Sequence, residues 1–204
     1  MNALIRRLAD ATADARQETD ERNRQSIAYG LTVLWNELTK LPLLLIAFTL
    51  LFSFREMLTA MAFWSILRVW MGGWHSRSWL GCLAAAAACY LAILALARHV
   101  LLSPTLFLVV MAVGLATVLL VAPVDHPNKP IRTMAKRRKM RLLASGAFLL
   151  EAAVAWLLPA WMGRIGFWTL LILVVMMLVG LLQRHPLPVG GTDRQGTRND
   201  EEAG

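Results

Sequence analysis

Charge is scarce in this chain. Asp, Glu, Lys and Arg make up 17% of its 204 residues and hydrophobic residues 57%, whereas a soluble domain carries about 25% charge. That shortage excludes an ordinary water-soluble fold. The two cysteines and four histidines form no metal-type cluster, and there is neither a glycine-rich phosphate loop nor an internal repeat. No metal or cofactor is therefore expected. A metal-binding run of aspartates is missing too, which argues against a lipid-modifying transferase. Nor does a cleavable signal peptide fit the start of the chain, since residues 1–26 mix five arginines with five acidic residues and have no apolar core.

What the chain has instead is long uncharged runs. Segments 79–97, 104–122, 142–162 and 165–182 each approach the roughly 20 residues that carry a helix across a bilayer. Residues 31–71 are less clean, because Asn36, Glu37 and Lys40 interrupt one end and a turn at 53–56 the middle. They read as two imperfect spans or as a re-entrant hairpin, and two spans are favoured. The expected fold is all-α, a polytopic membrane protein with about six transmembrane helices. Residues 1–28 read as an N-terminal amphipathic helix, with Leu4, Ile5, Leu8 and Ala11 on one stripe. Residues 29–184 form the membrane domain, and 185–204, rich in Gly, Asp, Arg and Asn, read as a disordered cytoplasmic tail.

Basic residues crowd one connection, "APVDHPNKPIRTMAKRRKMR" at 122–141, where Asp125 is the single acid. Short loops this basic stay in the cytoplasm. Threading from that anchor puts both termini and 68–78 inside, and 98–103 and a turn at 162–164 outside. Only Arg55, Arg98 and Arg164 then fall on the outer side, with Lys40 inside a span. The net charge of +8 follows this membrane pattern, so the partner it implies is the lipid bilayer and not nucleic acid.

The stretch "RVWMGGWHSRSWLGCL" at 68–83 sets His75 seven residues before Cys82, both facing the cytoplasm, where a thiol stays reduced. A thiol attacks as its thiolate, a form favoured by a neighbouring imidazolium and by the start of a helix. A Cys/His pair at a water–lipid boundary is thus a sensible nucleophile and base. On one continuous helix, however, residues seven apart lie about 10.5 Å from each other along the axis. The chain must bend, and Gly72 and Gly73, followed by Ser76 and Ser78, supply the break.

By spacing alone the pair is a weak motif, since an interfacial histidine and a packing cysteine are commoner. Cys89, seven residues deeper, reads as a small buried apolar residue. A third group orienting the imidazole has four candidates, Asp125, Asn128, Asn36 and Glu37, although Glu37 has Lys40 at i+3 and is better explained by a local ion pair. Arg68 and Arg77 flank the histidine, and either suits a peptide carbonyl or carboxylate. Glu151, in mid-span, reads either as a functional group or as a protonated carboxyl between helices. The basic connection suits an acidic peptide tail as well as anionic lipid.

Three stretches in order, "YGL" at 29–31, "RVWMGGWHSRSWLGC" at 68–82 and "APVDHPNKPI" at 122–131, resemble the accessory gene regulator B (AgrB) family of membrane peptidases over residues 16–182. Trp74 and Ser76 depart from the residues usual there without removing a group the chemistry needs. The resemblance implies a cysteine endopeptidase of bacterial quorum sensing, working as a homodimer in the cell membrane on an AgrD-like precursor peptide. It implies Cys82 as nucleophile and His75 as base, with the precursor's C-terminal tail cut off and a thiolactone or lactone ring closed. Supporting or substrate-binding roles fall to Arg68, Gly72, Gly73, Arg77, Asp125, Asn128 and Lys129. The rival is a non-catalytic membrane scaffold or exporter for a small peptide, in which His75 and Cys82 are incidental.

Overall fold

A computed structural model describes residues 3–15, 21–71, 78–124 and 133–182. Among them the chain forms seven helices and no strand: α1 (Ala3–Ala15), α2 (Glu21–Leu51), α3 (Phe54–Met71), α4 (Trp79–His99), α5 (Pro104–Val121), α6 (Met134–Leu157) and α7 (Ala160–Leu182). The fold is all-α, as expected. Helices α4 to α7 and the Gly30–Leu51 part of α2 are long and apolar enough to cross a membrane, and less than half of each is buried inside the protein. Large side chains such as Leu50, Leu108, Leu120 and Leu150 face outward. An apolar exterior of this extent suits hydrocarbon, and helices meet the demand that backbone polar groups be satisfied there. The protein is a polytopic membrane protein.

Five helices pass on length and hydropathy, against about six expected. The remaining one, α3, carries Arg55, Glu56 and Arg68 in 18 residues. It lies within the bundle, packed on α7, α6, α2 and α4, with Met57, Ala60, Phe63, Leu67 and Met71 among its buried residues. One face of α3 is buried against these helices, and its other face exposes Phe54, Leu58, Ile66 and Val69. Its charges sit near its ends. Glu56 pairs with Arg98 at the end of α4, at 2.6 Å, while the Met71 carbonyl accepts from the Val124 amide at 3.1 Å. Helix α3 therefore runs the length of the bundle and does not turn back.

The break before α3 has a local cause. Ser53 Oγ accepts from the Glu56 amide at 3.2 Å, and Glu56 Oε2 accepts from the Ser53 amide at 2.9 Å, a reciprocal capping box that starts a new helix.

Two expected boundaries shift. Helix α6 starts at Met134, capped by Thr133, so Lys136 to Arg141 form its first turns and are not loop; Arg141 Nε donates to the Ala122 carbonyl at 2.8 Å. The turn placed at 162–164 is absent, because the chain breaks at Leu158 and Pro159 and Gly163 lies inside α7. Proline has no amide hydrogen to continue α6. Near the N-terminus α1 packs on α2, where Arg24 pairs with Asp14. Leu8 and Ala11 of the expected stripe are exposed, and α2 runs unbroken through Tyr29. The tail at 185–204 lies outside the described residues.

Candidate functional site

Helices α2 and α4 run parallel, with α3 antiparallel to both. Along them Lys40 meets Cys82, Phe48 meets Tyr90 and Phe52 meets Arg98. The start of α4 is fixed by Ser78, in extended conformation (φ −105°, ψ 147°), whose Oγ accepts from the Gly81 amide at 3.0 Å. One residue on, the Cys82 amide donates to the Ser78 carbonyl at 3.0 Å. Cys82 thus occupies the opening turns of α4, where orphan amides and the helix dipole present positive potential. Because Ser78 is extended and caps α4, residues 68–82 are not one helix. His75, Gly72, Gly73 and Arg77 lie between α3 and α4, outside the described residues.

Cys82 is a half-buried free thiol. Its sulfur accepts a hydrogen bond from Lys40 Nζ at 3.1 Å, and the same ammonium donates to Glu37 Oε1 at 2.7 Å. Lys40 is only 3% exposed. From α3 the Arg68 guanidinium lies over the Trp64 ring, 5.7 Å from its centroid. Below them Tyr90 packs against Trp64 at 5.3 Å and Phe48 at 6.4 Å between ring centroids. Among the described residues the Lys40 ammonium is the cation in hydrogen-bond contact with the sulfur. A positive charge at that distance attracts negative charge that arrives or develops at the sulfur.

The remaining candidates divide. Glu37 is engaged with Lys40, as its i+3 spacing predicts. Cys89 is a free, half-buried thiol packed against the core. Asp125, Asn128 and Lys129 lie outside the described residues. Even so, the bond from Val124 to Met71 joins the residue just before Asp125 to the residue just before Gly72. Two of the three motif stretches therefore meet at the end of the bundle that holds Cys82.

Glu151 belongs elsewhere. It lies about 25 Å along α6 from Met134, is buried, and neither carboxyl oxygen has a hydrogen-bond partner among the described residues. An unsatisfied buried polar group costs roughly 1–3 kcal/mol. Glu151→Met is expected to raise thermal stability in detergent by about that much while leaving catalysis unchanged, as differential scanning fluorimetry and an activity assay would check.

Sequence reasoning treated Lys40 only as an interruption of a span and as the partner of Glu37. The signal was present, since a lysine in apolar surroundings marks function by default. The chain gives no way of knowing that its target lies 42 positions away.

No curated protein and no solved structure matches the chain. The family model described as accessory gene regulator B matches residues 2–181, a span that takes in all three motif stretches and every described helix but the last residue of α7. The chain belongs to the accessory gene regulator B (AgrB) family.

Proposed function

We propose that this chain is a membrane cysteine endopeptidase that removes the C-terminal tail of an AgrD-like precursor peptide and closes the remainder into a thiolactone or lactone. Family membership supports a role in quorum-sensing peptide processing. The observation that carries the finer reading is the half-buried free thiol of Cys82, at the start of a helix and hydrogen-bonded to a buried ammonium.

In the first half-reaction the Cys82 sulfur attacks the scissile carbonyl. A carbon–sulfur bond forms, the amide carbon–nitrogen bond breaks, and the thiol proton passes through His75 to the departing amine. In the second, an internal cysteine or serine of the peptide attacks the thioester, gives up its proton through His75, and releases Cys82 with that proton. Exchange of one thioester for another is nearly balanced, so a peptide held close needs no external energy source to cyclise. Water would waste the intermediate, and the half-buried position of the thiol limits its access. The positive-inside pattern supports a cytoplasmic site, and the family resemblance supports a homodimer.

The test is co-expression with candidate precursors encoded beside this chain, each with its ring-forming residue changed to alanine. Intact-mass spectrometry is expected to find the truncated peptide on Cys82 as a hydroxylamine-labile thioester. A chain that neither carries such an adduct nor releases a tail is not this enzyme.

A further inference from the structure

Buried ammonium groups are expensive, and this one is not needed for the ion pair it makes. Residues three apart on a helix pair readily at the surface. Here the two partners are treated differently: the Lys40 side chain is 4% exposed and that of Glu37 41%. The ammonium is carried inward, away from solvent that would satisfy it, and ends 3.1 Å from Cys82 Sγ on a different helix. An ammonium has only hydrogens to offer, so the sulfur is the acceptor. Burying a lysine of this kind is costly unless charge and hydrogen bonds compensate.

Resting on the proposed nucleophile, we infer that Lys40 is a further catalytic residue, the fixed cation that compensates the charge on Cys82 sulfur in both half-reactions. The sulfur holds an extra electron pair before it attacks and takes it back when the thioester opens. At both moments the ammonium is in hydrogen-bond contact. Lys40 transfers no proton in this assignment; it is a preorganised electrostatic partner, costing no rearrangement during the reaction. Glu37, half-exposed and paired with the ammonium, opposes the effect of Lys40 on the sulfur through its own negative charge.

The experiment reads Cys82 directly and needs no peptide. Full-length protein carrying Cys89→Ala, so that Cys82 is the sole thiol, is alkylated with iodoacetamide in detergent at fixed neutral pH. Lys40→Met is expected to slow alkylation by about tenfold or more, and Lys40→Arg to recover most of the loss. A purely structural lysine would shift thermal unfolding without this pattern. Glu37→Gln removes a half-exposed group and tests the idea even where Lys40→Met does not fold; it is expected to speed alkylation by about twofold or more. An unchanged or lower rate in Glu37→Gln overturns the assignment, as does a native rate in Lys40→Met. Equal slowing by Met and Arg would overturn it too, because charge would then be irrelevant. A chain that cuts no precursor would sink the proposed function and leave the alkylation result intact.

Discussion

Cys82→Ala is expected to abolish tail removal, and His75→Ala to slow it by about 10²- to 10⁴-fold, the usual worth of a general base. The asymmetry follows from the chemistry. Without sulfur at position 82 no thioester forms and no other group replaces it. Cys89, the only other cysteine, sits two turns further along the same helix, about 10.5 Å away. Cys89→Ala should therefore retain cleavage. Losing the base is milder, because water or solute can accept a proton while Lys40 continues to compensate the charge on sulfur. The measurement is peptide mass spectrometry on cells with equal amounts of each variant in the membrane. Persistent cleavage by Cys82→Ala would make the thiol structural and favour the scaffold reading.

The helices and their lipid-facing surfaces were legible because apolar length is a one-dimensional property. Segments 79–97 and 104–122 match α4 and α5 to within two residues. Boundaries that depend on a partner were harder. Gly163 resembles a turn residue in sequence, yet it is glycine because α7 approaches α6 closely there. Lys136 to Arg141 resemble a loop by charge, while the Thr133 cap starts a helix beneath them. For α3 the capping box at Ser53 and Glu56 was a readable signal. Its place among the other helices was not, since only packing shows that a helix with three charges buries one face against four others.

The candidate nucleophile came from spacing within one stretch and from its resemblance to a family. Lys40 came from neither, because the pairing of α2 with α4 brings it to the sulfur. A long-range contact leaves a trace in one sequence only as an oddity, here a charge where apolar residues are expected. The convergence of the second and third motif stretches through Met71 and Val124 is of the same kind. Each stretch can be seen in the sequence; their meeting cannot.

Gly163→Val is expected to be the most destabilising single change in the α6–α7 pair. Pro159 cannot donate to the carbonyl four residues back, which is that of Ala155. A Cβ at Gly163 would run into this same oxygen. The missing amide thus leaves a backbone acceptor on α6, and only a glycine lets α7 come close enough to cover it. Because the obstacle is backbone, it cannot be rotated away. Forcing a methyl group into a packed site costs about 1–3 kcal/mol and a β-branched side chain more, so Gly163→Ala should be harmful and Gly163→Val worse. At Gly166 a Cβ would come within 2.8 Å of both Ala155 Cβ and the end of the Phe63 ring. The Phe63 ring can tilt, and the fixed Ala155 Cβ at 2.8 Å is a milder overlap than the still closer Ala155 oxygen met by a Cβ at Gly163, so Gly166→Ala should cost less than Gly163→Ala. Thermal unfolding of the purified variants in one detergent gives the order directly. A native midpoint for Gly163→Ala would mean that α6 and α7 lie further apart than described, and the support they give to α3, which carries Arg68 toward Cys82, would have to come from elsewhere.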